Sequence, residues 1–250
     1  MKLFTRRGFV GLASNWLLAC LGSPAFARAW RDFQTDPKKW ADAPGPESVN
    51  VAARIDNVGE RLHSGASPSD ILCDRSLTDL HPYPRFRQLI KSNATSKPVS
   101  LCSLEEPGDR VVLKIEVVSK TGVPQADALV YVYHTSSAGW YAEKGYHVRA
   151  VSGDQRHARL FGYGRTNKNG CLEVQTIRPA GYPDGNLPAH FHVEVLEPLT
   201  AVTEIQFSDD PRLTPAVLEQ SRREGFIVSD PKKGVEGWWR VSAKITAPTS

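Results

Sequence analysis

The sequence predicts an all-β fold: an antiparallel β-sandwich of the immunoglobulin or prealbumin type with a short helical N-terminal arm. Three observations carry that expectation. From Asp109 onward the chain is a series of short β-branched and aromatic runs, "RVVLKIEVVS", "ALVYVYHTS", "CLEVQTIRP", "HFHVEVLEP", "VTEIQFS" and "WWRVSAKITAP". Turn signals such as "KTG", "NKNG" and "YPDGN" separate them, which is how strands joined by tight connections read in sequence. Helical spacing falls mainly before Asp109 and looks like a wrapping arm, leaving the strands to build the sandwich or barrel.

Taken in order, the opening "MKLFTRRGFVGLASNWLLACLGSPAFARA" has a basic start, an apolar stretch from Phe9 to Leu21 and small residues at Ala25 and Ala27. That is the form of an export signal, with an apolar run too short for a stable membrane anchor. Arg6 and Arg7, flanked by Thr5 and Phe9, give it the twin-arginine form read by an exporter of folded proteins. The expectation is a signal peptide over residues 1–27 and a periplasmic or secreted protein, with cleavage after Ala27 favoured over lipid attachment at Cys20. Residues 28–104 form the arm. "DPKKWADAPGP" reads as an extended lead-in, and "ESVNVAARIDNVGERL" places Val51, Ile55, Val58 and Leu62 at helical spacing. "YPRFRQLIKSNA" is a second, weaker helix around Phe86 to Lys91. Residues 105–250 are the sandwich domain, with one late helix in "TPAVLEQSRREGF".

Composition bounds the function. At 250 residues, 40% hydrophobic and 23% charged, the chain is in the ordinary globular range. The formal charge of +4 owes three units to Lys2, Arg6 and Arg7 of the signal, so neither nucleic acid nor an anionic membrane is indicated as a partner. After cleavage Cys73, Cys102 and Cys171 remain, an odd number that allows one internal disulfide, with Cys73 and Cys102 as the expected pair. No cysteine cluster has zinc-site spacing, and without a G-x-S-x-G motif a hydrolase has little support.

The chemistry-bearing stretch is "GYPDGNLPAHFH", residues 181–192. His190 and His192 are two apart where a turn gives way to a strand, so their imidazoles face one side and can converge. Tyr141 in "SAGWYAEKG" and Tyr182 in "PAGYPDG" are further donors near strand ends. Two phenols and two imidazoles make a hard donor set that suits Fe(III) better than zinc or calcium. A bound trivalent ion would also lower a tyrosine pKa far below about 10.

These segments, in the order "GVPQADALVYVYHTSSAGWY", "FGYGRTNKNGCLEVQTIRPAGYPDGNLPAHFHVEV" and "EIQFSDDPRL", resemble the intradiol ring-cleavage dioxygenases, the catechol and protocatechuate dioxygenases. The resemblance runs from about Glu105 to Leu213. It implies a non-haem Fe(III) cofactor held by Tyr141, Tyr182, His190 and His192, with Tyr182 and His190 axial and Tyr141 and His192 equatorial. It also implies a small aromatic diol and O2 as the reacting partners. Tyr182 would give way as the diol binds, and the carbon bond between the two hydroxyls would be cleaved to a cis,cis-muconate type diacid.

One departure stands out. Where better-known members carry an arginine three residues before the first histidine, this chain has Leu187. Arg178 of "TIRP" is the candidate to supply that charge, with Arg165 beside it as a second; the competing reading of Arg178 is a surface ion pair at a strand end. His134 is expected in the core or behind the ligands, and His81, His147 and His157 in loops. Two readings outside the enzyme remain at this point: a non-catalytic module binding iron or aromatics, and a metal-free transthyretin-like carrier. The arm also offers a surface for a homo- or hetero-oligomer.

Overall fold

The computed structural model describes residues 40–41, 46–142, 147–148, 158–183, 187–198 and 200–247. The expected signal over 1–27, Cys20 and most of the lead-in lie outside the described residues. The strands in chain order are β1 (Trp40–Ala41), β2 (Val99–Ser100), β3 (Arg110–Ser119), β4 (Leu129–His134), β5 (His147–Val148) and β6 (Leu160–Arg165). There follow β7 (Cys171–Ile177), β8 (His190–Glu197), β9 (Ala201–Phe207), β10 (Ile227–Ser229), β11 (Lys232–Lys233) and β12 (Trp239–Ala247). The helices are α1 (Val49–His63), α2 (Pro68–Leu72), α3 (Pro84–Ser92) and α4 (Pro215–Glu224), with a 3₁₀ turn over Arg75–Leu80.

Two five-stranded sheets form the sandwich, in the orders β10-β9-β8-β4-β6 and β11-β12-β3-β7-β2. The sheets are mixed, which corrects the purely antiparallel expectation. β10 runs parallel to β9, β12 to β3 and β2 to β7. Parallel neighbours need a crossover, and α4 is the crossover between β9 and β10. It begins at Thr214, whose side chain accepts from the Val217 N–H, with Pro215 in its first turn, and it stops at Gly225 in the left-handed region at φ 76°. An alternating strand reads the same whichever way its neighbour runs, so this feature has no signature in local sequence.

The inner faces follow from the pleat. Val111, Leu113, Ile115 and Val117 of β3 and Val241, Ala243 and Ile245 of β12 are buried, and β12 alternates with exposed residues, as expected for a sheet with one wet face. β4 is buried along its whole length, so both of its faces are covered. His134 identifies the inward one, because its Nε2 is 2.8 Å from Thr176 Oγ1 of β7 in the other sheet. Tyr131 and Tyr133, one residue out of phase, therefore face away from the second sheet.

The helical segment is part of the core rather than an arm laid over it. Ile55, Val58 and Leu62 of α1, Ile71 and Leu72 of α2, and Phe86 and Ile90 of α3 belong to the same buried cluster as the strands. Arg87 of α3 reaches the Ala158 carbonyl at 3.1 Å and donates to Tyr131 Oη on the outward face of β4. The expected helices are present, α1 capped by Ser48 and α3 opened by Pro84. α2, β6 and the short strands β1, β2, β5, β10 and β11 were not anticipated.

Cys73 and Cys102 are free thiols, which corrects the expected disulfide. Cys102 Sγ lies 3.8 Å from Thr176 Oγ1, and Cys73 Sγ points at the Ser100 carbonyl at 4.0 Å. Burial first, then the charge of nearby Cys102, pushes the Cys73 thiol up to about 11.

Two buried histidines give the fold a pH dependence. Burial is the first cause that takes His81 and His134 from the ordinary 6.5 down to about 4. His81, expected in a loop, sits in a turn but is buried, and its Nε2 has no hydrogen-bond partner. Unfolded imidazoles gain protons near pH 6.5 while the folded ones refuse them until about pH 4. The unfolded state therefore binds more protons in that window, and stability falls as pH drops through it. Each histidine contributes a slope of roughly 1.4 kcal/mol per pH unit. Unfolding free energies from urea titrations between pH 6 and 4.5 are expected to fall with that slope for each histidine, and His134→Gln to remove about half of the total; a flat profile would contradict the buried neutral assignment.

Candidate metal centre

The outward face of the first sheet collects the chemistry-bearing residues because the registers align them. Tyr133 of β4 is opposite His192 of β8, and His192 and His190 are opposite Glu204 and Gln206 of β9. Both histidines are buried. Tyr141 comes from the loop after β4 and Tyr182 from the turn before β8. Gly139, at φ 84°, locks the two loops together, since a Cβ there would stand 2.5 Å from the Gly181 carbonyl oxygen and 2.9 Å from Pro183 Cδ.

The four predicted donors meet in a closed ring of contacts. Tyr141 Oη is 2.9 Å from Tyr182 Oη and 2.5 Å from His192 Nε2. His190 Nε2 is 3.1 Å from His192 Nε2 and 3.4 Å from Tyr182 Oη. His190 Nδ1 lies 2.8 Å from the Pro188 carbonyl, and a carbonyl only accepts, so the ring proton is on Nδ1 and the Nε2 lone pair points into the cluster. Two imidazole Nε2 atoms face each other at 3.1 Å beside two phenol oxygens, an arrangement that a shared proton or a metal cation between them satisfies. At metal–nitrogen lengths of about 2.0–2.1 Å, donors at right angles stand about 2.9 Å apart. The observed spacings bracket that value, so the residues present fit a metal ion.

Electrostatics agree. Burial, then the neighbouring Tyr182 and Tyr133 phenols, holds the Tyr141 phenol well above its ordinary value of 10. A phenolate there needs a cation beside it. The atoms of His190, His192 and Glu204 also lie within 4.8 Å of one another, which offers a two-histidine, one-carboxylate set. Glu204 approaches His192 through Nδ1, at 3.7 Å, on the opposite edge of the ring from the tyrosines. That places the carboxylate behind the imidazole, where such groups orient a ligand.

The remaining predicted residues lie elsewhere. Arg178 pairs through both guanidinium nitrogens with Asp209, at 2.9 and 2.5 Å, and stacks over Phe207 at 4.5 Å; none of its contacts is to the four donors. Arg165 contacts Asp127 and Glu197 at the Leu129 end of β4, away from Tyr133. Leu187 is 44% exposed. His134 is enclosed between the Thr135 carbonyl and Thr176. His147, expected in a loop, opens the two-residue strand β5, while its side chain and His157 lie outside the described residues. Sequence reasoning missed Glu204 and Tyr133, and it gave Asp210 of "EIQFSDDPRL" no role. The Asp210 carboxylate accepts from the Ala189 N–H at 2.9 Å and the Arg212 N–H at 2.8 Å, clipping the "PAHFH" segment to the "DDP" turn.

The comparisons with known proteins give this site its relatives. The family described as Dioxygenase matches residues 83–237, more than half of the chain. The chain belongs to the intradiol ring-cleavage dioxygenase family. A protocatechuate 3,4-dioxygenase beta chain from Burkholderia cepacia is 32% identical over 123 residues, 44% of this chain and 49% of that protein. The match thus spans about half the length of this curated relative. Among solved structures, the dioxygenase domain of a carbohydrate-binding fusion from Streptomyces sp. SirexAA-E is 17% identical with a TM-score of 0.46, covering 64% of this chain and 92% of that one. Catechol 1,2-dioxygenase from Pseudomonas arvilla C-1 is 17% identical with a TM-score of 0.49, covering 92% and 87%.

Proposed function

We propose that the protein is an exported non-haem Fe(III) intradiol dioxygenase that cleaves a catechol-type aromatic 1,2-diol with O2 to a cis,cis-muconate type diacid. The observation that carries this reading is the ring of two phenol oxygens and two imidazole nitrogens whose lone pairs converge. Tyr141, Tyr182, His190 and His192 would hold the iron. When bound, the metal supplies a redox-active, hard Lewis acid that binds the diol oxygens and activates the ring toward O2. The chain supplies the rest. Tyr141, His190 and His192 are buried, whereas Tyr182 is half-buried, so Tyr182 is the donor an entering diol reaches first. Its Oη can accept the proton that a catechol hydroxyl loses. Pro188 and Glu204 steady the imidazoles from behind, and the buried aromatic floor under His192 keeps water from that side of the ring.

The same reading makes residues 1–27 a twin-arginine signal and places the active protein outside the cytoplasm, with iron inserted before export. Among the described residues no helix is long and apolar enough to cross a membrane. Arg178 is engaged by Asp209, so charge on the substrate would be met by other groups. The name of the Burkholderia relative, a protocatechuate dioxygenase, favours a diol of that size.

The test is the visible spectrum of the purified, iron-loaded protein with metal analysis, before and after anaerobic catechol, followed by oxygen uptake. A red-brown charge-transfer band that shifts with catechol, then consumption of one O2 per diol, is expected. A band that shifts without oxygen uptake would make this a binding module. A protein that stays colourless after iron reconstitution would remove the metal reading.

A further inference from the structure

A line of aromatic side chains runs along the outward face from the donor cluster to β6. His192 of β8 lies flat against Tyr133 of β4, with ring centroids 4.5 Å apart and planes 10° apart. Tyr133 stacks on Tyr131 at 4.9 Å and 28°, and Tyr131 on Tyr163 of β6 at 4.6 Å and 18°. The registers explain the run: Tyr133 is opposite His192, Tyr131 is opposite Tyr163, and the two β4 tyrosines are two apart on one face. Other ring pairs nearby are edge-on, such as Phe161 with Tyr163 at 78° and His134 with Phe191 at 87°. Among the described residues three of the four stacked ring pairs lie on the line from the donor cluster to β6, the fourth being His81 with Phe86. Phenylalanine would fill the two buried β4 positions without burying a hydroxyl. Tyrosine adds an oxidisable phenol at both positions and, at Tyr131, an acceptor for Arg87.

The far end is open. Tyr163 is half-buried and lines a hollow of mixed character with Ser67, Thr95, Lys97, Pro98, Val99 and Gln175. Midway, Arg87 is 5% exposed, donates to Tyr131 Oη and lies 3.6 Å over the Phe161 ring, with no carboxylate partner among the described residues. A buried cation at Tyr131 disfavours lasting positive charge there. An electron vacancy passing along the rings would therefore settle at Tyr163, where solvent takes the phenol proton.

We propose that His192, Tyr133, Tyr131 and Tyr163 form a conduit that carries oxidising equivalents from the metal centre to the hollow at Tyr163, where they oxidise phenols. This rests on the iron reading above and adds an activity to it, protection of the site when peroxide meets the enzyme without its diol. In balance, one hydrogen peroxide accepts two electrons and two protons and leaves as two waters. Twice per peroxide, Tyr163 loses one electron and one proton to become a phenoxyl. An external phenol in the hollow then returns a hydrogen atom to it, so two phenols become two phenoxyl radicals.

The experiment treats the iron-loaded full chain with substoichiometric hydrogen peroxide, without catechol or added phenol, and maps oxidised residues by mass spectrometry alongside the tyrosyl radical signal in electron paramagnetic resonance. Modification is expected to concentrate at Tyr163, with Tyr83, half-buried and off the line, as the internal control. Tyr133→Phe keeps a ring in the stack but removes the phenol. It should retain the iron colour, lower Tyr163 oxidation at least fivefold and move damage to the peptides holding Tyr141, Tyr182 and His192. Tyr163→Phe, nearer the surface, should hasten bleaching of the colour by peroxide. Equal oxidation of Tyr83 and Tyr163, or unchanged Tyr163 oxidation in Tyr133→Phe, would overturn the conduit while the coloured protein preserves the iron reading. A protein that never acquires the colour would overturn both.

Discussion

Replacing His192 with alanine is expected to abolish catechol-dependent oxygen uptake, with a loss on the order of 10³-fold or more and a parallel fall in bound iron. The magnitude follows from position. Groups behind a metal ligand already cost about 10–100-fold when removed, and His192 is itself one of the converging donors, 2.5 Å from Tyr141 Oη and 3.1 Å from His190 Nε2. Glu204→Gln provides the graded comparison, since Glu204 faces the other edge of the same ring at 3.7 Å. It is expected to lose about 10–100-fold and to keep most of its iron. If the two substitutions cost the same in both uptake and metal content, the carboxylate is a ligand and the two-histidine, one-carboxylate set is the correct one. Uptake within threefold of the wild type in His192→Ala would sink the dioxygenase proposal. Far-UV circular dichroism and urea unfolding of the iron-free variant separate these outcomes from loss of fold.

Much of the donor set was legible because local signals and a family resemblance point to the same four residues. His190 and His192 are two apart in a run that can only be a strand, and Tyr141 and Tyr182 lie in turns bounded by glycine and proline. Their convergence in the structure needs no more than short loops. What surrounds them depends on register, which no local pattern encodes. Glu204 stands behind His192, and Tyr133 beneath it, because β9 and β4 pair with β8 at one particular offset. β6 escaped for a different reason. "LFGYGR" reads as a turn, yet a Cβ at Gly162 would stand 2.4 Å from Leu101 Cδ2 and one at Gly164 2.6 Å from Leu172 Cδ1. These glycines admit Leu172 of β7 and Leu101, the residue just after β2, a packing role that composition disguises as flexibility. The mixed sheets were hidden too, because the strands alternate in the same way beside parallel and antiparallel neighbours.

The second large effect tests how far the helical segment belongs to the sandwich. Phe86→Ala is expected to destabilise the protein by about 3–5 kcal/mol, the cost of emptying a fully enclosed phenylalanine site. At roughly 2–4 °C per kcal/mol for a chain of this size, the melting temperature should fall by about 6–20 °C. Phe86 has no exposed surface and stacks on His81 with centroids 5.1 Å apart. His81 in turn meets the edge of Phe161 on β6 at 5.5 Å. The side chain thus wedges α3 against the sheet at the point where Arg87 enters toward Tyr131. A detachable arm would behave otherwise, losing its own helicity while the sandwich melted at its original temperature. Val49→Ala, at an α1 position 89% exposed, serves as the control and should change stability by less than about 0.5 kcal/mol. A single transition shifted down by Phe86→Ala, with iron binding weakened in step, would show that the helices and the sheet bearing the histidines unfold as one unit. Two separate transitions would divide them, and the metal centre would then rest on the strands alone.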